Sequence, residues 1–162
     1  MKMSKLSKHQ EQYERVKRYY KKFKDINEGL IRNEPSEFYV DTIYSFFIHC
    51  FHLKDWIKND PVAALVAPKV ENYIHRNLDL SICGDICIAL KHLKKDEKHT
   101  PHSQLDPQLG KKSIKLHLGG EENGKFEMKM TIDTSSGPRD AFDIATKCID
   151  AWEIFYSDNK LM

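Results

Sequence analysis

At 162 residues, 40% hydrophobic and 31% charged, the chain is long enough for one domain with a real core, and its apolar residues are too periodic for a disordered segment. Its 26 basic and 24 acidic residues leave a net charge of +2, so bulk charge points to no polyanion partner and only a local basic patch would. No apolar run approaches the roughly 18 residues that span a bilayer, and the basic start "MKMSKLSKHQEQYERVKRYYKKFK" has no apolar leader core, so the expectation is a cytoplasmic protein with no membrane partner.

Leu6, Tyr13, Val16, Tyr20, Phe23 and Leu30 recur at helical spacing and predict a first helix over about Leu6–Arg32. Its other face carries Lys17, Arg18, Lys21, Lys22 and Lys24, with Tyr19 and Tyr20 between them. Cations interleaved with aromatics contact nucleic-acid phosphates and bases; the competing reading is a solvated helix face. "NEPSEFYVDTIYSFFIHCFHLKDWIKND" predicts the second helix, with Pro35 in its first turn and a core stripe of Ile43, Phe46, Phe47, Cys50, Leu53 and Ile57. "NDP" ends it and starts a third helix, with Asp60 as N-cap and Pro61 at the first helical position, carrying Leu65, Val66, Val70, Tyr73 and Ile74.

"LSICGDICIALKHLKK" predicts the fourth helix, with Ile82, Ile86, Ala89, Leu90 and Leu93 on one face. Residues 96–111, with two prolines, one glycine and no apolar period, read as a loop that holds His99 and His102. The period then changes to two in "KSIKLHL" and "KFEMKMTID", separated by "GGEENG", which predicts a β-hairpin over about 112–133. The stretch "SSGPRDAFDIATKCIDAWEIFYSD" closes the chain as a helix with Ala141, Ala145, Cys148, Trp152 and Phe155 inward. The expected fold is therefore mainly α, a single domain over 1–162: a bundle of about five helices with a β-hairpin inserted before the C-terminal helix. Cys50, Cys83, Cys87 and Cys148 all fall in apolar helical stretches and read as reduced core thiols, not disulfides.

The polar residues inside the apolar helices are the candidates for chemistry. On a helical wheel of the second helix, His52 and Asp55 project away from the core stripe, with His49 and Trp56 on the flank. In the fourth helix Asp85 and His92 are seven apart, hence on one face, beside Lys91 and a cluster with Lys94, Lys95 and Lys98. If the two helices pack side by side, His52, Asp55, Asp85 and His92 converge. One reading is a catalytic site: His92 as acid/base, Asp85 and Asp55 orienting it or His52, and Lys91, Lys94 and Lys95 holding phosphates. The other is a non-catalytic module in which a buried His–Asp network fixes helix register. Two His and two Asp also suit a metal, but H-E-x-x-H is absent, and no metal or cofactor is expected.

The blocks "FFIHCFHLKDWIKND", "YIHRNLDLSICGDICIALKHLK" and "DAFDIATKCIDAWEIF", over most of residues 38–156, resemble a family of small, uncharacterised bacterial helical proteins. More distantly the helical part resembles the HEPN superfamily, many of whose members are RNases of toxin–antitoxin and phage-defence systems. That resemblance implies an RNA or nucleotide partner in stress or defence and a homodimer. The usual HEPN signature is an Arg followed within a turn or two by a His; none of Arg15, Arg18, Arg32, Arg76 and Arg139 has a His at that distance downstream, and Lys91–His92 stands nearest to the pattern.

Overall fold

The computed structural model describes residues 5–91, 115–118, 126–134 and 136–162. Five helices are α1 (Lys8–Asn27), α2 (Ser36–Asn59), α3 (Val70–Arg76), α4 (Leu78–Lys91) and α5 (Ala141–Asp158). Between α4 and α5 lie β1 (Lys115–Leu118), β2 (Phe126–Lys129), β3 (Thr131–Thr134) and β4 (Gly137–Asp140). The expected helical bundle with a β insertion before its last helix is what the chain forms.

Local chemistry sets the helix ends. Ser7 and Gln10 form a reciprocal capping box at the start of α1, satisfying two of its orphan N–H groups. At the other end Gly29 takes φ +71°, Leu30 N–H donates to Asp25 O at 2.8 Å and Gly29 N–H to Ile26 O at 3.0 Å. This left-handed stop truncates the helix expected to reach Arg32. Leu30 beyond this stop and Leu6 ahead of the Ser7 cap, both on the expected core face, are exposed, and His9, Gln12 and Ile26 take buried places beside Tyr13, Val16 and Phe23. The third helix also departs from expectation. Residues 61–69 form two short 3-10 turns, Pro61–Ala63 and Ala67–Lys69, before α3 begins, and Leu65 is 91% exposed. Pro68 lacks an N–H to continue an α ladder, which accounts for the late start.

α4 is the centre of the bundle. Every residue from Leu80 to Cys87 is buried, so the helix has neighbours on all sides, and it packs on α2, α3 and α5. The Asn77 side chain caps its start by accepting from Leu80 N–H at 3.0 Å. Cys83 and Cys87 donate their thiols to Phe47 O on α2, at 3.3 and 3.1 Å. From α5, the indole N–H of fully buried Trp152 donates to Cys50 O at 3.1 Å. The stripe expected on α5 (Ala141, Ala145, Cys148, Trp152 and Phe155) is buried in full.

The strands differ from a single hairpin. β1 pairs antiparallel with β2, Leu116 opposite Met128, as the alternation predicts. The second strand does not run on to Asp133: after Met130 the chain forms a separate hairpin, β3 with β4, Thr131 opposite Asp140 and Thr134 opposite Gly137. Met130 O accepts from Ala141 N–H at 2.8 Å, tying this hairpin to the start of α5. The segment "GPRD" had been assigned to the lead-in of the last helix. Gly137 (φ +114°) and Pro138 are poor interior-strand residues and hid an edge strand. Arg139 Nη2 reaches Asp79 Oδ1 at 2.7 Å, pinning β4 to the first turn of α4.

Asp60 joins the ends of two elements, one oxygen accepting from His9 N–H at 3.0 Å and the other from Val62 N–H at 3.1 Å. The His9 bond, against the opposing effect of burial, holds its carboxyl below the ordinary 3.8. Asp60→Ala should cost about 1–2 kcal/mol, the usual worth of an N-cap, read as a lower urea midpoint. A carboxylate depressed in the fold contributes fully above its unfolded pKa, so the gap between variant and wild type should close as pH falls below about 3.8.

Candidate anion-binding cleft

The cations of α1 fall into two rows. Lys17, Lys21 and Lys24 occupy one row and meet acids of their own helix: Glu14 at 2.5 Å, Asp25 at 2.9 Å and Glu28 at 3.7 Å. Their charge is largely neutralised locally. Arg15, Arg18 and Lys22, at i, i+3 and i+7, occupy the adjacent row, and among the described residues none of the three is in an ion pair. With Tyr19 and His49 they line a cleft of about 290 Å³ between α1 and α2.

Buried Gln12 organises this cleft. Its amide N–H donates to His49 O at 3.2 Å and lies 3.4 Å from His49 Nδ1. Nδ1 is therefore the acceptor, which leaves the ring proton on Nε2. The Gln12 oxygen accepts from the Arg15 guanidinium, which also lies 5.8 Å above the Trp56 ring. The His49 ring stacks on Tyr19 at 4.7 Å between centroids, and Lys22 Nζ stands 5.3 Å from the Tyr19 ring centre. Arg15 and His49 are thus held in place before any ligand arrives. Tyr20 is not part of the cleft: its hydroxyl bonds Thr146 at 3.0 Å and its ring stacks on Phe142, so it serves α1–α5 packing.

Burial lowers the His49 pKa, and the charges of Arg15 and His52 lower it further. Burial first, and then the neighbouring positive charge, disfavours the protonated ring, and the same charge suits an anion such as a phosphate or carboxylate.

The residues proposed from sequence are distributed differently. His52 and Asp55 are exposed on α2; His52 lies close enough to influence His49, and Asp55 lines a shallow cleft with Lys8, Trp56, Asn59 and Asp60. Asp85 is buried at 3% exposure in α4, an environment it does not share with the other two. Lys91 is the last residue of α4, and His92, Lys94 and Lys95 lie outside the described residues, as do Lys98, His99 and His102. Among the described residues the buried histidine is one that sequence reasoning passed over, His9. Tyr156 Oη donates to His9 O at 3.1 Å and lies 3.1 Å from His9 Nδ1, so Nδ1 carries the proton; Nε2 has no partner among the described residues. Arg15 and Gln12 were also missed. The spacing did not single out the cations of the cleft: Arg15, Arg18 and Lys22 also have an acid three or four residues away (Glu11, Glu14 and Asp25), and only the folded side chains show which cations pair. Compared with family models, curated proteins and solved structures, the chain matches none.

Burial also lowers the pKa of His9, opposed by nearby Asp60. Histidines depressed in the fold bind fewer protons there than in the unfolded chain, whose value is 6.5. Stability is therefore full above that pH and declines below it. The urea midpoint should fall between pH 7.5 and pH 5.5, and His49→Gln should reduce the size of that fall.

Proposed function

We propose that the chain binds the phosphate backbone of single-stranded RNA in the cleft between α1 and α2. The observation that carries this reading is the row of three cations without acidic partners, Arg15, Arg18 and Lys22, around a cleft that also holds His49. Phosphate contacts of this kind bind without reading sequence. Arg15, fixed by Gln12, offers a pre-oriented fork for one phosphate, while exposed Arg18 and Lys22 add charge along the strand. Trp56, partly exposed beside Arg15, offers a stacking face for a base. The resemblance to HEPN domains supports the same class of partner.

Binding is favoured over cleavage at this cleft: acid–base catalysis needs two groups within reach of one reacting atom, and among the described residues the cleft lining holds one histidine and no carboxylate.

Fluorescence anisotropy of a labelled oligouridylate over a salt series tests the proposal. Wild type should bind with a strong salt dependence. Arg18→Ala combined with Lys22→Ala should flatten the slope of log K against log[salt] by about 1.4, at ~0.7 per single-strand phosphate contact. It should leave melting unchanged, since both side chains are exposed. Lys17→Ala with Lys21→Ala should change the slope far less. Equal effects of the two pairs would rule the cleft out as the binding site.

A further inference from the structure

Cys50 on α2, Cys83 on α4 and Cys148 on α5 bring their Sγ atoms within 4.8 Å of one another. The three cysteines lie far apart in sequence on three different helices, all are completely buried, and all are free thiols. A single apolar stripe on one helix does not create such a meeting of sulfurs; it requires the three helix faces to be aimed at one point. Sulfurs bound at about 2.3 Å around a common ion stand roughly 4 Å apart in a trigonal arrangement. The trio therefore needs a contraction of less than about 1 Å to hold one.

We propose that Cys50, Cys83 and Cys148 form a three-sulfur site for a thiophilic d10 metal ion, copper(I) in preference to zinc(II). Soft thiolates select copper(I), which is content with few ligands, whereas zinc calls for a fourth. Cys87, the fourth cysteine, lies outside the trio of converging sulfurs and donates to Phe47 O at 3.1 Å.

Each thiol that becomes a ligand as thiolate releases its proton to solvent, and the bound cation supplies the countercharge that an anion buried in hydrocarbon needs.

The test uses the untagged, reduced full-length chain, titrated without oxygen with copper(I) against bathocuproine disulfonate and separately with zinc(II), with X-ray absorption recorded at one equivalent. The expected result is one copper per chain, bound by three sulfurs, with a higher melting temperature. Cys50→Ser, Cys83→Ser and Cys148→Ser should each weaken binding by about 100-fold, as a lost site group does, and Cys87→Ser should retain it. If a serine variant loses its helical dichroism, the wild-type coordination and the Cys87→Ser control decide the matter. Absence of stoichiometric metal in folded wild type, nitrogen or oxygen ligands at one equivalent, or undiminished binding in a folded Cys148→Ser would overturn the site. Tighter binding of zinc than copper would overturn the preference.

Discussion

A buried glutamine ties one cation of α1, Arg15, to the seam with α2. Gln12 lies in the seam between α1 and α2, and a primary amide there must find partners for both its ends or cost about 1–3 kcal/mol. It finds them in Arg15 on its own helix and in the His49 backbone on the next. That requirement adds to the apolar packing of Tyr13, Val16 and Phe23 in setting α1 against α2. It also draws Arg15 inward and sets the hydrogen-bonding state of His49. The cleft follows from helix packing and is not an independent feature of the surface.

The same packing divides the positive charge. Seven residues complete two helical turns, so cations at 17, 21 and 24 share a row and those at 15, 18 and 22 share the next. The chain spends its acids on the first row, through Glu14, Asp25 and Glu28, and leaves the second unpaired. A protein with a net charge of +2 can therefore present a locally strong positive site. No helix among the described residues is long and apolar enough to cross a membrane.

Much of the fold was legible because it rests on period. The stripes of α2 and α5 and the antiparallel pairing of β1 with β2 appear in the sequence as they do in the structure. What escaped were local overrides. Gly29 ends α1 by adopting a left-handed turn that periodicity does not register. Pro68 delays α3, and the pairing of "GPRD" with Thr131–Thr134 relies on tertiary support from Asp79 that no short-range pattern shows.

The site was less legible, for a physical reason. His52 and Asp55 stood out because they interrupt an apolar helix, yet an interruption marks the surface as readily as a site, and both side chains are exposed. Gln12 and Arg15 come together with His49, 37 positions beyond Gln12 across the seam, and nothing in the sequence gives the rotation that joins them. Likewise the four cysteines read correctly as buried thiols, but the meeting of three of them depends on how α2, α4 and α5 cross.

The most direct test of the central claim is an amide chemical-shift map of the chain titrated with an unlabelled oligouridylate. The account predicts perturbations concentrated on residues 12–22 and 49–56, with the His49 ring resonances moving toward the protonated form as RNA binds. Perturbations centred on α3 or α5, with α1 and α2 silent, would contradict it.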